Sequence, residues 1–218
     1  MALISASLMC ADFLNLQKDL EILNNSVDLI HVDIVDGYFA PTLGVSSEII
    51  DVVRSNTHLA LDFHLMVENP LKILRGVPVL SGDYVSFHRT PDVAVSEAVA
   101  FIKSLGAKAG VSIQVGEDTS DLEDYLPQLD FVNFVTVSPG WAGQKMKSGA
   151  ISSFKSLVEF LGGPGIHAID VEVDGNMTKE NARLFRNLGG SIFVAGSSGI
   201  FHKPLQKRAI DDFRWAIQ

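Results

Sequence analysis

Four side chains of the kinds that hold divalent cations recur in short β-rich runs of this sequence: His31 and Asp33, then His64, then Asp174. His31 and Asp33 stand two apart, so on a strand they share one face, while Val32 and Ile34 face the other way. Burying an unpaired carboxylate costs on the order of several kcal/mol. A cation held between the two groups offsets that cost, and His64 and Asp174 bring the donor set to two imidazoles and two carboxylates. Such a mixed nitrogen and oxygen site suits Zn²⁺, Fe²⁺, Mn²⁺ or Co²⁺. Taken singly, a strand histidine is more often core and an aspartate at a strand end more often a cap. The weight lies on their joint occurrence at inward positions of three strands. His88 ends another such run and reads as a loop histidine, with support of the cluster as the alternative.

A second group is glycine-rich. Gly140-Trp141-Ala142-Gly143, Gly175 and Gly196-Ser197 each follow a late β-rich run. Glycine lets backbone N–H groups approach a phosphate closely. Any one of these glycines is explained by a turn; their clustering after the last runs points to phosphate. Trp141, Tyr38 and Phe39 are candidates for a lid or for packing.

These residues need a scaffold that brings distant segments to one end. Candidate strands are Leu3–Ser7, Leu29–Val35, Ala60–Met66, Tyr84–His88, Lys108–Ile113, Phe131–Val137, Ala168–Val173 and Ser191–Ala195. Amphipathic helical patterns fill Leu14–Leu23, Val93–Leu105, Ile151–Leu161, Lys179–Leu188 and Pro204–Ile217. Gly106, Gly162 and Gly189 stand where helices end, Thr178 where one begins, and Pro91 and Pro204 where a first turn tolerates proline. Eight strand-then-helix units imply parallel strands with crossovers, and eight is the closing number for a (β/α)8 barrel. In that architecture chemistry sits at the C-terminal strand ends, where the polar residues fall. No Gly-x-Gly-x-x-Gly follows the first strand, against an open dinucleotide-binding sheet. The whole chain, 1–218, reads as one domain, since barrels of about this size fold as one unit.

Composition narrows the partners. A net charge of -9 without a basic cluster argues against nucleic acid. No run approaches the roughly 18 apolar residues of a membrane span. The first ten residues end in Cys10 but lack a basic start and a long apolar run, so they do not read as a signal. A lone cysteine fits a reducing compartment, and the expectation is a cytoplasmic protein.

The motifs together resemble the ribulose-phosphate 3-epimerase family. Ser7-Leu8-Met9-Cys10-Ala11-Asp12-Phe13 is similar to its opening segment, and His31 to Pro41 to its H-x-D-x-M-D-G-x-F-V-P. Asp62 to Val67 matches D-x-H-L-M-V, and Val137 to Gln144 matches V-x-P-G-F-x-G-Q. Val173-Asp174-Gly175 and Val194-Ala195-Gly196-Ser197 complete the set. The resemblance implies a ribulose-phosphate-binding TIM barrel, cytoplasmic and homo-oligomeric as a dimer or hexamer. It implies a metal, zinc foremost, on His31, Asp33, His64 and Asp174. Asp33 and Asp174 would be the acid/base pair, and Ser7 and His64 would touch a sugar phosphate. Gly140, Trp141, Ala142, Gly143, Gly175, Gly196 and Ser197 would hold its phosphate, with Met9 and Met66 lining the pocket. Four departures stand out: Val35 and Val135 replace methionines, Gln114-Val115 an Asn-Pro, and Asn176-Met177-Thr178 the tail of D-G-G-V-N.

The implied reaction is epimerisation at C3 of a 2-ketose phosphate by two-base proton transfer through a metal-stabilised enediolate. The ketose is D-ribulose 5-phosphate, the pentose-phosphate-pathway substrate, or D-allulose 6-phosphate, whose branch the Ser7–Cys10 and Ser197–Phe201 segments resemble. Two other readings differ in class. A metal-free phosphate-barrel decarboxylase would carry D-x-K-x-x-D on strand two, but Asp33-Ile34-Val35-Asp36 has no lysine. A non-catalytic sugar-phosphate-binding barrel would lack metal and exchange no C3 hydrogen.

Overall fold

The computed structural model describes residues 1–162 and 169–218. Its strands are β1 (Leu3–Ser7), β2 (Leu29–Val35), β3 (Ala60–Met66), β4 (Tyr84–His88), β5 (Lys108–Gln114), β6 (Phe131–Val135), β7 (Asp170–Asp174) and β8 (Ile192–Ala195). All pair in parallel with their neighbours in sequence, and β8 returns to β1, so the sheet closes as a barrel in chain order. The helices are α1 (Leu16–Leu23), α2 (Ser47–Asn56), α3 (Pro70–Leu74), α4 (Val95–Ser104), α5 (Ala150–Phe160), α6 (Lys179–Asn187) and α7 (Lys207–Ala216).

The expected eighth helix is replaced. Two 3₁₀ turns, Ser120–Asp124 and Leu126–Gln128, carry the chain from β5 to β6. Acidic residues around a single buried Leu122, followed by Pro127, give that stretch no apolar stripe to dock and no continuous hydrogen-bond ladder. Helices α2 and α3 escaped the periodicity reading. The first buries only Ile50 and Val53, and the second is a five-residue turn opened by Pro70 and capped by Asn69. The expected start of β7, Ala168, lies outside the described residues. Pro91 and Pro204 both precede their helices, which begin at Val95 and Lys207, so neither sits in a first turn. The other stops hold. Gly106, Gly162 and Gly189 take φ of +77, +104 and +117°, and Thr178 accepts from the Asn181 amide.

Strand alternation sorts the barrel into an outer apolar shell and a layered interior. Val32, Ile34, Phe63, Leu65, Val85 and Phe87 face the helices. Edge-to-face contacts between Phe134, Phe154 and Phe185 lock β6 to α5 and α6. Inside, Leu29, Tyr84, Phe131 and Ile192 from the even strands form an apolar floor. Gly110 makes room for it, because a Cβ there would lie 2.6 Å from the Phe131 ring. Above the floor the inward positions become polar. Ser5, Asp62 and Glu172 come from β1, β3 and β7, then His31, Ser86 and Asn133 from β2, β4 and β6, all buried. Ser7, His64, Ser112 and Asp174 follow, and Asp33 and His88 stand nearest the C-terminal mouth. A barrel interior is a packed core; here the upper half of that core is built from hydrogen-bonding groups.

Candidate metal and phosphate site

At the mouth, Asp33 is the hub. Its Oδ1 lies 3.3 Å from His31 Nε2 and 3.3 Å from His64 Nδ1, while His64 Nδ1 is 3.5 Å from Asp174 Oδ2. One donor atom from each of the four residues fits within a 4.8 Å span. Metal–ligand bonds of about 2.0–2.1 Å in a tetrahedron place neighbouring ligand atoms roughly 3.3 Å apart. The three separations match that edge and are long for direct hydrogen bonds between N and O. The donor set and spacing therefore fit a divalent cation.

Local structure holds these groups in place. Asp36, just past β2, accepts the Tyr38 and Phe39 amides at 2.8 Å and the Glu68 amide at 2.8 Å, tying the end of β2 to the end of β3. Gly44 folds back on β2, its amide bonding Val35 O and the Val45 amide bonding Asp33 O. A Cβ on Gly44 would meet Val35 N at 2.4 Å, so only glycine allows this return directly over the strand that carries Asp33. Gly175 follows Asp174 at φ +102°, its carbonyl accepting from Thr136 Oγ1 at 2.6 Å. Asn176 stands where the resemblance expects a second glycine. It adopts φ +52°, a region asparagine tolerates, and its side chain bonds Ser198 Oγ at 3.2 Å.

Around the cluster one pocket opens to solvent. Ser7, Met9, Asp33, His64, Met66, Gly140, Trp141, Ala142, Gly143, Asp174, Gly175, Gly196 and Ser197 all line it. His31 lies beneath, its ring fully buried and its Nε2 directed to Asp33. The backbone amides of Ala142, Gly143, Asn176 and Ser198, on three late loops of the wall, donate to nothing else among the described residues. Two valines that replace methionines keep the surroundings apolar: Val135 lines the pocket, and Val35 packs with Met66, Ala40 and Phe39. Gln114 is half-buried and its amide bonds Glu117 Oε2, away from the cluster. Of the aromatics, Tyr38 and Trp141 are exposed and Phe39 packs over His88 with ring centroids 4.7 Å apart.

Three residues of the site were missed or misplaced by the reading of the sequence. His88 is no loop residue: it ends β4, is buried, and its Nε2 lies 3.0 Å from His64 Nε2. Asp62 and Glu172 occupy the layer below, and Asp62 Oδ2 stands 2.7 Å from His31 Nδ1. For these two the signal was present, because each stands two residues before a cluster member, His64 or Asp174, and so shares its face.

The electrostatics follow from burial and from this proximity. Burial opposes charge on His31, but Asp62 and Asp33 together outweigh it and raise its pKa well above the ordinary imidazole value. His64 is raised too, since the neighbouring carboxylates of Asp174 and Asp33 outweigh its burial. Asp33 is held below the usual carboxylate range, His31 and His64 overcoming the cost of burial. His88 is pushed well down by burial and then by His64, so it stays neutral. Glu172 is pushed well up, first by burial and then by Asp62.

Known proteins place the chain. A model of the ribulose-phosphate 3 epimerase family matches residues 3–201. Ribulose-phosphate 3-epimerase of Bacillus subtilis (strain 168) is 31% identical over 212 residues, covering 97% of each chain. The chloroplastic ribulose-5-phosphate-3-epimerase of Arabidopsis thaliana is 32% identical over 199 residues, 90% of this chain and 70% of that protein. Among solved structures, a crystal structure of KGPDC from Streptococcus mutans superposes with a TM-score of 0.66 at 17% identity, over 99% of this chain and 97% of the other, a likeness of fold alone. With its metal-spaced imidazoles and carboxylates at the barrel mouth, this chain belongs to the ribulose-phosphate 3 epimerase family and is an isomerase of the racemase and epimerase class.

Proposed function

We propose that the chain, folded as one domain over 1–218, catalyses metal-dependent 3-epimerisation of a 2-ketose phosphate. The observation that carries this reading is the convergence of His31, Asp33, His64 and Asp174 within 4.8 Å, on the wall of the pocket that also presents the glycine-rich loops. The substrate pair is D-ribulose 5-phosphate and D-xylulose 5-phosphate, or D-allulose 6-phosphate and D-fructose 6-phosphate. Both pairs place a C–H beside a C2 carbonyl and a phosphate at the far end.

The cation is Zn²⁺, with Fe²⁺, Mn²⁺ and Co²⁺ as the alternatives the donor set admits. Bound, it supplies Lewis-acid stabilisation of the negative charge that develops on the substrate oxygens at C2 and C3. The free amides of Ala142, Gly143, Asn176 and Ser198 receive the phosphate, joined by Gly140, Trp141, Gly175, Gly196 and Ser197. That anchor is local, which lets an acidic protein bind an anion. Ser7 and His64 lie beside the reacting carbons, and Met9 and Met66 give the sugar an apolar wall.

Asp33 on β2 and Asp174 on β7 stand three strands apart round the barrel, so they reach C3 from different sides. One, as carboxylate, takes the C3 proton and leaves an enediolate. The other, as the acid, delivers a proton to the opposite face of C3. Turnover in the reverse direction exchanges the two roles. General acid–base help of this type is worth about 10²–10⁴-fold. His31 and His64 hold Asp33 between them, which favours its ionised form before the step. The family habit adds a cytoplasmic homo-oligomer, dimer or hexamer, to this reading.

The test offers metal-loaded protein both ketose phosphates in D₂O and follows C3 by NMR. Epimer formation with solvent deuterium at C3 is expected for one pair. Failure on both pairs with metal demonstrably bound removes the assignment.

A further inference from the structure

We infer that Asp62, braced by Ser5, is a positioning residue that keeps the ring proton of His31 on Nδ1 and thereby turns the Nε2 lone pair into the metal cluster. The inference rests on the ligand reading above. His31 and Asp62 are register partners on β2 and β3. His31 Nδ1 lies 2.7 Å from Asp62 Oδ2, and Ser5 Oγ donates to the same oxygen at 2.6 Å, fixing the carboxylate's rotation from β1. All three residues are fully buried, so no solvent competes for these bonds.

In the neutral ring that binds a cation, only one position of the single ring proton suits both ends of His31. With the proton on Nδ1, Asp62 receives it, and Nε2 offers its lone pair 3.3 Å from Asp33 Oδ1, where the fourfold cluster lies. With the proton on Nε2, the Nδ1 lone pair would face a carboxylate in a water-free interior and the proton would block the ligand position. A ligand histidine's far nitrogen commonly bonds a carboxylate in this way, and removing such a partner typically weakens metal binding about 10–100-fold.

Glu172 supplies the control. It is equally buried and also carboxylic, yet its Oε1 is 4.0 Å from His31 Nδ1, too far for a hydrogen bond to the ring. Asp62 and Glu172 sit in the same buried layer under the cluster, and only Asp62 touches the ring of His31. A directed bond makes them different.

The experiment measures zinc affinity by chelator competition for wild type, H31A, D62A, D62N and E172Q, with the melting temperature of each metal-free variant. Asp62→Ala should weaken zinc binding about 10–100-fold. Asp62→Asn keeps an oxygen that accepts from Nδ1 and should lose distinctly less, while Glu172→Gln should stay within about threefold of wild type. Nitrogen-15 spectra of the zinc-loaded wild type should show the His31 proton on Nδ1. Equal losses in D62A, D62N and E172Q, or none in D62A, would overturn the inference. If D62A does not fold, the spectrum decides: a His31 proton on Nε2 with zinc bound refutes it. The failure of the ligand reading looks different, because H31A would then bind zinc as wild type does.

Discussion

Replacing Asp174 by asparagine removes one proton carrier while preserving the size of the side chain. The Asp174 carboxylate has 18% side-chain exposure and faces the pocket, with Oδ2 3.5 Å from His64 Nδ1. An amide oxygen can still point at the cluster, so at saturating metal the site should fill. What is lost is the ability to take or give the C3 proton. At about 10²–10⁴-fold for such a group, and about 1.4 kcal/mol per tenfold, the barrier rises by roughly 3–5 kcal/mol. The assay has two parts. Epimer formation is followed by NMR, and C3 hydrogen exchange with D₂O is followed separately from each epimer. Asp33 remains in place, so Asp174→Asn should still exchange the C3 hydrogen of one epimer while failing to interconvert the two. Asp33→Asn should show the mirror pattern with the other epimer, provided it retains metal. Undiminished epimerisation by Asp174→Asn, with zinc content verified, would refute the two-base scheme. Exchange from both epimers in the same variant would refute it as well.

Other expectations follow from the same geometry. In the metal-free protein, His31 and His64 hold protons more tightly folded than unfolded, so their stabilisation is full below about pH 6.5 and is lost as pH rises through their raised folded values. Glu172, raised from 4.5, acts in the same direction. The melting temperature without metal should therefore fall as pH rises above about 6.5, whereas metal affinity should rise, because both rings must be neutral, with a free lone pair, to bind. Parallel pH profiles for the two forms would contradict this. Chelation should abolish turnover and lower stability by about 2.7 kcal/mol relative to protein in free metal at a hundredfold over Kd, with recovery on adding Zn²⁺ or Mn²⁺. Differential scanning calorimetry with and without chelator measures the shift. Gly175→Ala should cost about 1–3 kcal/mol and weaken inhibition by inorganic phosphate. At φ +102° its Cβ would meet Thr136 Oγ1 at 2.7 Å and Val137 Cγ2 at 2.8 Å. Unchanged melting and phosphate inhibition in that variant would count against Gly175 as a shaping residue of the wall.

The sequence by itself determined the strands and the direction in which their side chains point. A period of two is a local property of the backbone, so His31, Asp33, His64 and Asp174 could be assigned inward positions, and β1 to β4 fall on the expected residues. Glycine ends of helices were legible for the same local reason, since a positive φ is a property of one residue. Weak stripes were not legible: α2 and α3 bury too few apolar side chains to stand out, and the stretch between β5 and β6, where the alternation of strand and helix called for a helix, forms two 3₁₀ turns. Only the tertiary structure decided which polar groups meet across strands. Closure of β8 on β1 brings Asp174 to His64, and the β3–β4 register sets His88 against it, so a residue read as loop becomes part of the interior. The same kind of register puts Asp62 under His31, a contact that spans 31 residues of chain and forms only when neighbouring strands align. Side-chain facing is written in the order of residues along one strand, while the distance between two functional groups depends on how strands are stacked around a closed sheet, which no single stretch of sequence specifies.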